Sequence, residues 1–144
     1  MIDQKITPCL WVEKDGKLKD YRKFENLSSG AEGEETHGFD TAVMELAGVE
    51  FSILAAGPMF KFTEAISLVI NCRDQEEVDY YWDALTADGG EEGACGWCKD
   101  KYGLSWQVVP VEYFELIHSE DPAVRERALT NTFAQKKLVL AELK

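Results

Sequence analysis

Apolar and polar positions divide the chain into short alternating runs with one long helical pattern between them. Residues 6–12 read as a strand, with Pro8 tolerable near its start or at an edge. Asp15-Gly16 is a turn signal, and residues 18–24 alternate weakly, with Leu18, Tyr21 and Phe24 as candidate inward positions. Residues 26–38 are polar and carry Gly30, Gly33 and Gly38, the pattern of a loop. Residues 41–46 and 49–55 form two further strand patterns joined by Ala47-Gly48, and Gly57-Pro58 closes that hairpin. A segment bearing Met59, Phe60 and Phe62 then leads to a strand over residues 65–72.

The helical pattern follows. Asp74 is placed as an N-cap with Glu77 in the capping-box position. Val78, Tyr81, Trp82 and Leu85 recur at helical spacing, and Gly89-Gly90 supplies the stop. Short strands are predicted over 96–99 and 104–109, with residues 100–103 as their turn and Pro110 ending the second. Glu91 and Glu92 also open a strand. The tail reads as helices. One covers 111–118. Another starts at Asp121-Pro122, with Val124, Ala128 and Leu129 on one face. A last short one is anchored by Leu138, Val139 and Leu143. From residue 65 onward the order is βαβββ, and a similar spacing in the first half hints at an internal duplication.

Composition narrows the function classes. The chain has 144 residues, with 15 Lys+Arg against 27 Asp+Glu, a formal net charge of −12. An acidic surface argues against nucleic-acid phosphate and anionic membranes as partners. The longest central apolar run, residues 65–70, is far short of the roughly 20 residues a membrane helix needs. No signal peptide is visible at Met1-Ile2-Asp3-Gln4-Lys5, so a cytoplasmic protein with reduced thiols is expected.

Three sets of residues could carry chemistry. Cys95 and Cys98 have C-x-x-C spacing, but they enter a strand rather than a helix N-terminus. Residues three apart on a strand face opposite ways, so two small apolar side chains are the simpler reading; Cys9, Cys72, His37 and His118 show no paired ligand spacing. The aromatic residues Trp11, Phe60, Phe62, Trp97 and Trp106 lie on or beside predicted strands, where a curved sheet can hold an apolar or aromatic ligand. The third set is acid–base. His37 and His118 neighbour no nucleophile motif, and Glu45, Glu50, Glu91 and Glu92 read as solvated carboxylates. Neither familiar phosphate-binding glycine loop occurs.

The segment Cys95-Gly96-Trp97-Cys98-Lys99-Asp100-Lys101-Tyr102-Gly103-Leu104-Ser105-Trp106-Gln107-Val108-Val109-Pro110 resembles the signature hairpin of the PhnB-like proteins. Gly57-Pro58-Met59-Phe60-Lys61-Phe62-Thr63 is similar to their other marked segment. Gln75-Glu76-Glu77-Val78-Asp79, Trp82 and Leu85 match the helix between. PhnB-like proteins belong to the vicinal oxygen chelate superfamily, which includes glyoxalases, bleomycin-resistance proteins and dioxygenases. Some relatives carry a demethylubiquinone methyltransferase label.

The resemblance implies an α+β fold of paired βαβββ modules that form a curved mixed sheet around a cleft, and a homodimer. The modules would fall at residues 1–58 and 59–110, followed by a helical tail over 111–144. The first module lacks room for its helix between its first two strands. Aligning the turn at Asp100 to Gly103 puts Gln107 where metal-binding relatives carry a glutamate, with Ala65 and Thr7 at two other ligand positions. An amide, an alkyl group and a hydroxyl make a poor divalent site, so no metal and no cofactor is expected. The reading is a small-molecule ligand, apolar or aromatic, bound by Trp11, Phe60, Phe62, Trp97, Trp106 and Gln107; whether the cleft also catalyses is left open. The alternatives are a metal-dependent glyoxalase or dioxygenase-type enzyme, a quinone-pathway methyltransferase, and a non-catalytic dimeric module.

Overall fold

The computed structural model describes residues 4–13, 22–24 (backbone only) and 38–144. They fall into two compact units, Met1–Lys61 and Phe62–Lys144.

In the first unit, β1 (Cys9–Val12), β2 (Arg22–Phe24), β3 (Phe39–Leu46) and β4 (Val49–Ala55) form a mixed sheet of order β1-β4-β3-β2. β1 runs parallel to β4, and β3 pairs antiparallel with both β2 and β4. The strand predicted from residue 6 starts only at Cys9. Pro8 has no N–H to give a ladder, although its carbonyl accepts from the Ser52 N–H at 2.9 Å. The β3–β4 turn places Ala47 at φ 49° and Gly48 at φ 80°. Two left-handed residues suit the twist of a tight hairpin, but the first of them is not a glycine. Phe51 and Ala55 are buried. The helix expected to be missing between the first two strands falls on residues 14–21, outside the described residues.

The second unit contains β5 (Ser67–Cys72), α1 (Gln75–Thr86), β6 (Glu91–Glu92), β7 (Trp97–Lys99) and β8 (Ser105–Pro110). Its sheet has the order β5-β8-β7-β6, with β5 parallel to β8. This is the βαβββ arrangement, and the first sheet repeats its order strand for strand. The fold is therefore α+β, built on two mixed sheets of one topology.

α1 explains the second sheet's core. The Asp74 carboxylate accepts from the Glu77 N–H at 2.9 Å. Glu77 reaches back one residue further than a capping box requires, accepting from the Arg73 N–H at 2.8 Å. Val78 and Trp82 from α1 meet Cys72, Cys98 and Val108, all buried, with Ile70, Tyr81, Leu85 and Trp106 packed around them. The helix ends at Thr86, because Ala87 is already extended at ψ 164°. The predicted glycine stop therefore acts later. At Gly90 a side chain would collide with the Leu85 carbonyl and sit 2.8 Å from the Lys99 carbonyl.

Pro110 ends β8 as expected, and it is also fully buried, pairs in register with Cys72 and stands at the N-cap of the next helix. One further expectation is corrected. α2 (Val111–Ile117), α3 (Pro122–Phe133) and α4 (Leu140–Leu143) complete the chain. Ala128 is buried, but Leu129, predicted to share its face inward, is 40% exposed. Leu138 and Leu143 are fully buried and join Val109 in a second cluster. The Gln75 side chain fastens this tail to α1, donating to the Leu138 carbonyl and accepting from the Leu140 N–H.

Candidate functional site

Strand parity sorts the side chains of the second sheet. Ile70, Cys72, Cys98, Trp106 and Val108 face α1. The opposite face is open at Val69 and covered at Ser105 and Val109. It carries Ser67 and Val69 from β5, Ser105, Gln107 and Val109 from β8, and Trp97 and Lys99 from β7. Register aligns these in two rows. Ser67, Ser105, Lys99 and Glu91 form a polar row across all four strands. Val69, Gln107 and Trp97 form the neighbouring row.

The polar row is unevenly satisfied. Lys99 Nζ lies 2.5 Å from Glu64 Oε1, on the segment just before β5. The hydrogen bond from Lys99 holds the Glu64 carboxyl below its ordinary range, and the same bond raises the ammonium of Lys99. Gln107 Nε2 donates to Ser67 Oγ at 2.9 Å. Ser105 is only 1% exposed, and its Oγ has no hydrogen-bond partner. Buried hydroxyls without partners are uncommon. Ser105, Trp97, Lys99, Glu64 and Glu91, together with Glu92 and Cys98 of the α1 side, line a cavity of about 240 Å³. Sequence reasoning did not single out Ser105, Lys99 or Glu64. The turn predicted over residues 100–103 would have paired Lys99 with Leu104; the loop is one residue longer, and that sets Lys99 opposite Ser105.

The predicted site residues divide. Trp97 and Gln107 are register partners on the open face. Trp106 is not beside them. It packs on the α1 side against the core, and its Nε1 donates to Asp100 Oδ2 at 2.9 Å. Trp11 and Phe60 meet within the first unit as an edge-to-face pair with centroids 4.8 Å apart, and Trp11 Nε1 donates to the Gly57 carbonyl. Phe60 is 58% exposed. Phe62 is half-buried at the start of the second unit.

The thiols have the character of packing groups. Burial pushes Cys98 up to about 11, and Cys72 likewise to about 11. A reactive pair needs a lowered pKa instead. Cys95, half-buried at φ 58°, does not share the core with Cys98. His118 is exposed and hydrogen-bonds the Phe114 carbonyl through Nδ1; His37 lies outside the described residues.

The residues do not fit the divalent metal of the superfamily's enzymes. Gln107 offers an amide already bound to Ser67. Ala65 and Thr7 lie before β5 and β1 and add no imidazole or carboxylate. Among the described residues no cluster of three or more His, Cys, Asp or Glu could hold an ion.

A family model described as 3-demethylubiquinone-9 3-methyltransferase matches residues 4–109, and with them both sheets. The chain belongs to this family. It is a family of the glyoxalase and bleomycin-resistance type, and the duplicated sheet order is the architecture that the PhnB-like resemblance implies. No curated protein matches the chain. Among the described residues no helix is long and apolar enough to cross a membrane.

Proposed function

We propose that the open face of the second sheet binds a small aromatic or apolar molecule bearing polar groups at one edge. Trp97 and Val69 offer flat apolar surface, and Val69 is 45% exposed. Gln107, Ser105 and Lys99 offer donors and acceptors on one side of it. The observation that carries the reading is the buried Ser105 hydroxyl without a partner at the wall of a cavity. Binding sites commonly pair an apolar surface with a few such polar groups. The family description names a demethylated ubiquinone, an oxygen-substituted ring, so quinones belong among the ligands tried.

The test is a thermal-shift and tryptophan-fluorescence titration over quinones, aromatic amides and methylglyoxal–thiol adducts. Saturable quenching that vanishes in Trp97→Phe and persists in Trp106→Phe is the expected result. Absence of any saturable response across the panel overturns the reading. The homodimer implied by the family is part of the proposal. The exposed apolar side chains of Leu46 and Val49 at the β3–β4 turn, and of Val43 midway along β3, support it, and light scattering of purified protein decides it.

A further inference from the structure

The charges around the cavity narrow the ligand class. Glu64, Glu91 and Glu92 contribute three carboxylates, and Lys99 is the one cation in the wall. Lys99 is held by Glu64, so these two charges largely offset. Glu92 is engaged by the Trp82 indole N–H at 3.2 Å and by Lys136 at 3.4 Å. Glu91 stands opposite Lys99 in register and, among the described residues, has no hydrogen-bonded partner. The wall is thus net negative on a chain of charge −12, and such a field concentrates cations. The same wall carries Trp97, whose ring face attracts cations, and Ser105, whose buried hydroxyl has no partner and can accept a hydrogen bond.

We infer that this cavity selects a small organic cation, a protonated amine on a flat apolar body, with the body on Trp97 and the ammonium among Glu91, Glu64 and Ser105. The inference rests on the binding face proposed above and assigns its charge preference. A carboxylate ligand would meet Glu91, whose charged neighbour Lys99 is already bound to Glu64. A neutral one would leave that charge unused.

The test is calorimetric titration of the intact protein with 2-phenylethylamine, 2-phenylethanol and phenylacetate, at low and high salt. The amine is expected to bind about tenfold tighter than phenylacetate, with the alcohol between. The gap should shrink at high salt, because exposed charges are screened. Glu91→Gln should narrow the preference about two- to fivefold, the usual size of one exposed charge contact. Lys99→Met should tighten amine binding by freeing Glu64. Ser105→Ala should weaken binding without loss of thermal stability, because the hydroxyl has no partner to lose. Phenylacetate or the alcohol binding as well as the amine overturns the charge preference and leaves the binding face standing. If nothing in either panel binds, the binding face itself falls.

Discussion

Gln107 donates its side-chain amide to the hydroxyl of Ser67 across the parallel β5–β8 pair, at 2.9 Å. The bond is diagonal, since Gln107 stands level with Val69 and Ser67 level with Ser105. Gln107→Leu should remove about 1 kcal/mol of stability, the usual net worth of such a bond, as read by urea denaturation. The half-buried Ser67 can turn to water, which keeps the loss small.

Trp82 is the largest fully buried side chain. Trp82→Ala should cost about 3–5 kcal/mol and lower the urea midpoint accordingly. Its indole partner Glu92 is exposed, so no buried carboxylate is stranded. A loss below about 1 kcal/mol would mean that α1 is not seated on β5, β7 and β8 as described.

The Ala47-Gly48 turn demands left-handed backbone at both positions. A non-glycine residue such as Ala47 pays about 1 kcal/mol or more there, whereas asparagine adopts it readily. Ala47→Asn should therefore raise the melting temperature by a few degrees, on the order of 0.5–1 kcal/mol. An unchanged or lower melting temperature would contradict the hairpin geometry.

Acid should loosen the second unit. Glu64 is lowered by the bond from Lys99, Glu77 by the Arg73 N–H, Asp79 by Lys137 and Glu92 by the Trp82 indole. A carboxylate with a depressed folded pKa stabilises above its unfolded value and loses that contribution as pH falls through the folded one. Stability should decline below about pH 4.5, and Lys137→Met should flatten part of the decline. Urea midpoints measured between pH 7 and pH 3 would show it.

Thiol labelling should separate the cysteines. Cys9 is exposed and Cys95 half-buried, whereas Cys72 and Cys98 are buried. Two thiols should react in native protein, Cys9 first, and four in denaturant. Because Cys72 and Cys98 are raised to about 11, the folded state keeps protons that the unfolded chain releases above about pH 8.5. Stability should fall as pH rises from there towards the folded value.

Much of the fold is legible in the amino-acid sequence. β4 follows its predicted bounds to the residue, and α1 begins at the expected cap, because alternation and capping are local signals. What escaped is non-local. Trp97 and Trp106 look equivalent along the chain, and only the register of β7 on β8 sends one to each face. Ser105 carries no local mark of its burial, which comes from neighbours on other strands. Pro110 read as a terminator because its missing N–H is a local property. Its place beside Cys72 depends on β5.

The Asp100 carboxylate gathers the N–H groups of Tyr102 and Leu104 and the indole of Trp106. That one side chain fixes how many residues lie between β7 and β8, and so which side chains look outward. Adding or deleting a single residue in this loop would turn β8 inside out. Trp106 would then be presented to solvent and Ser105 pressed against the helix, so relatives should vary the loop in kind far more freely than in length.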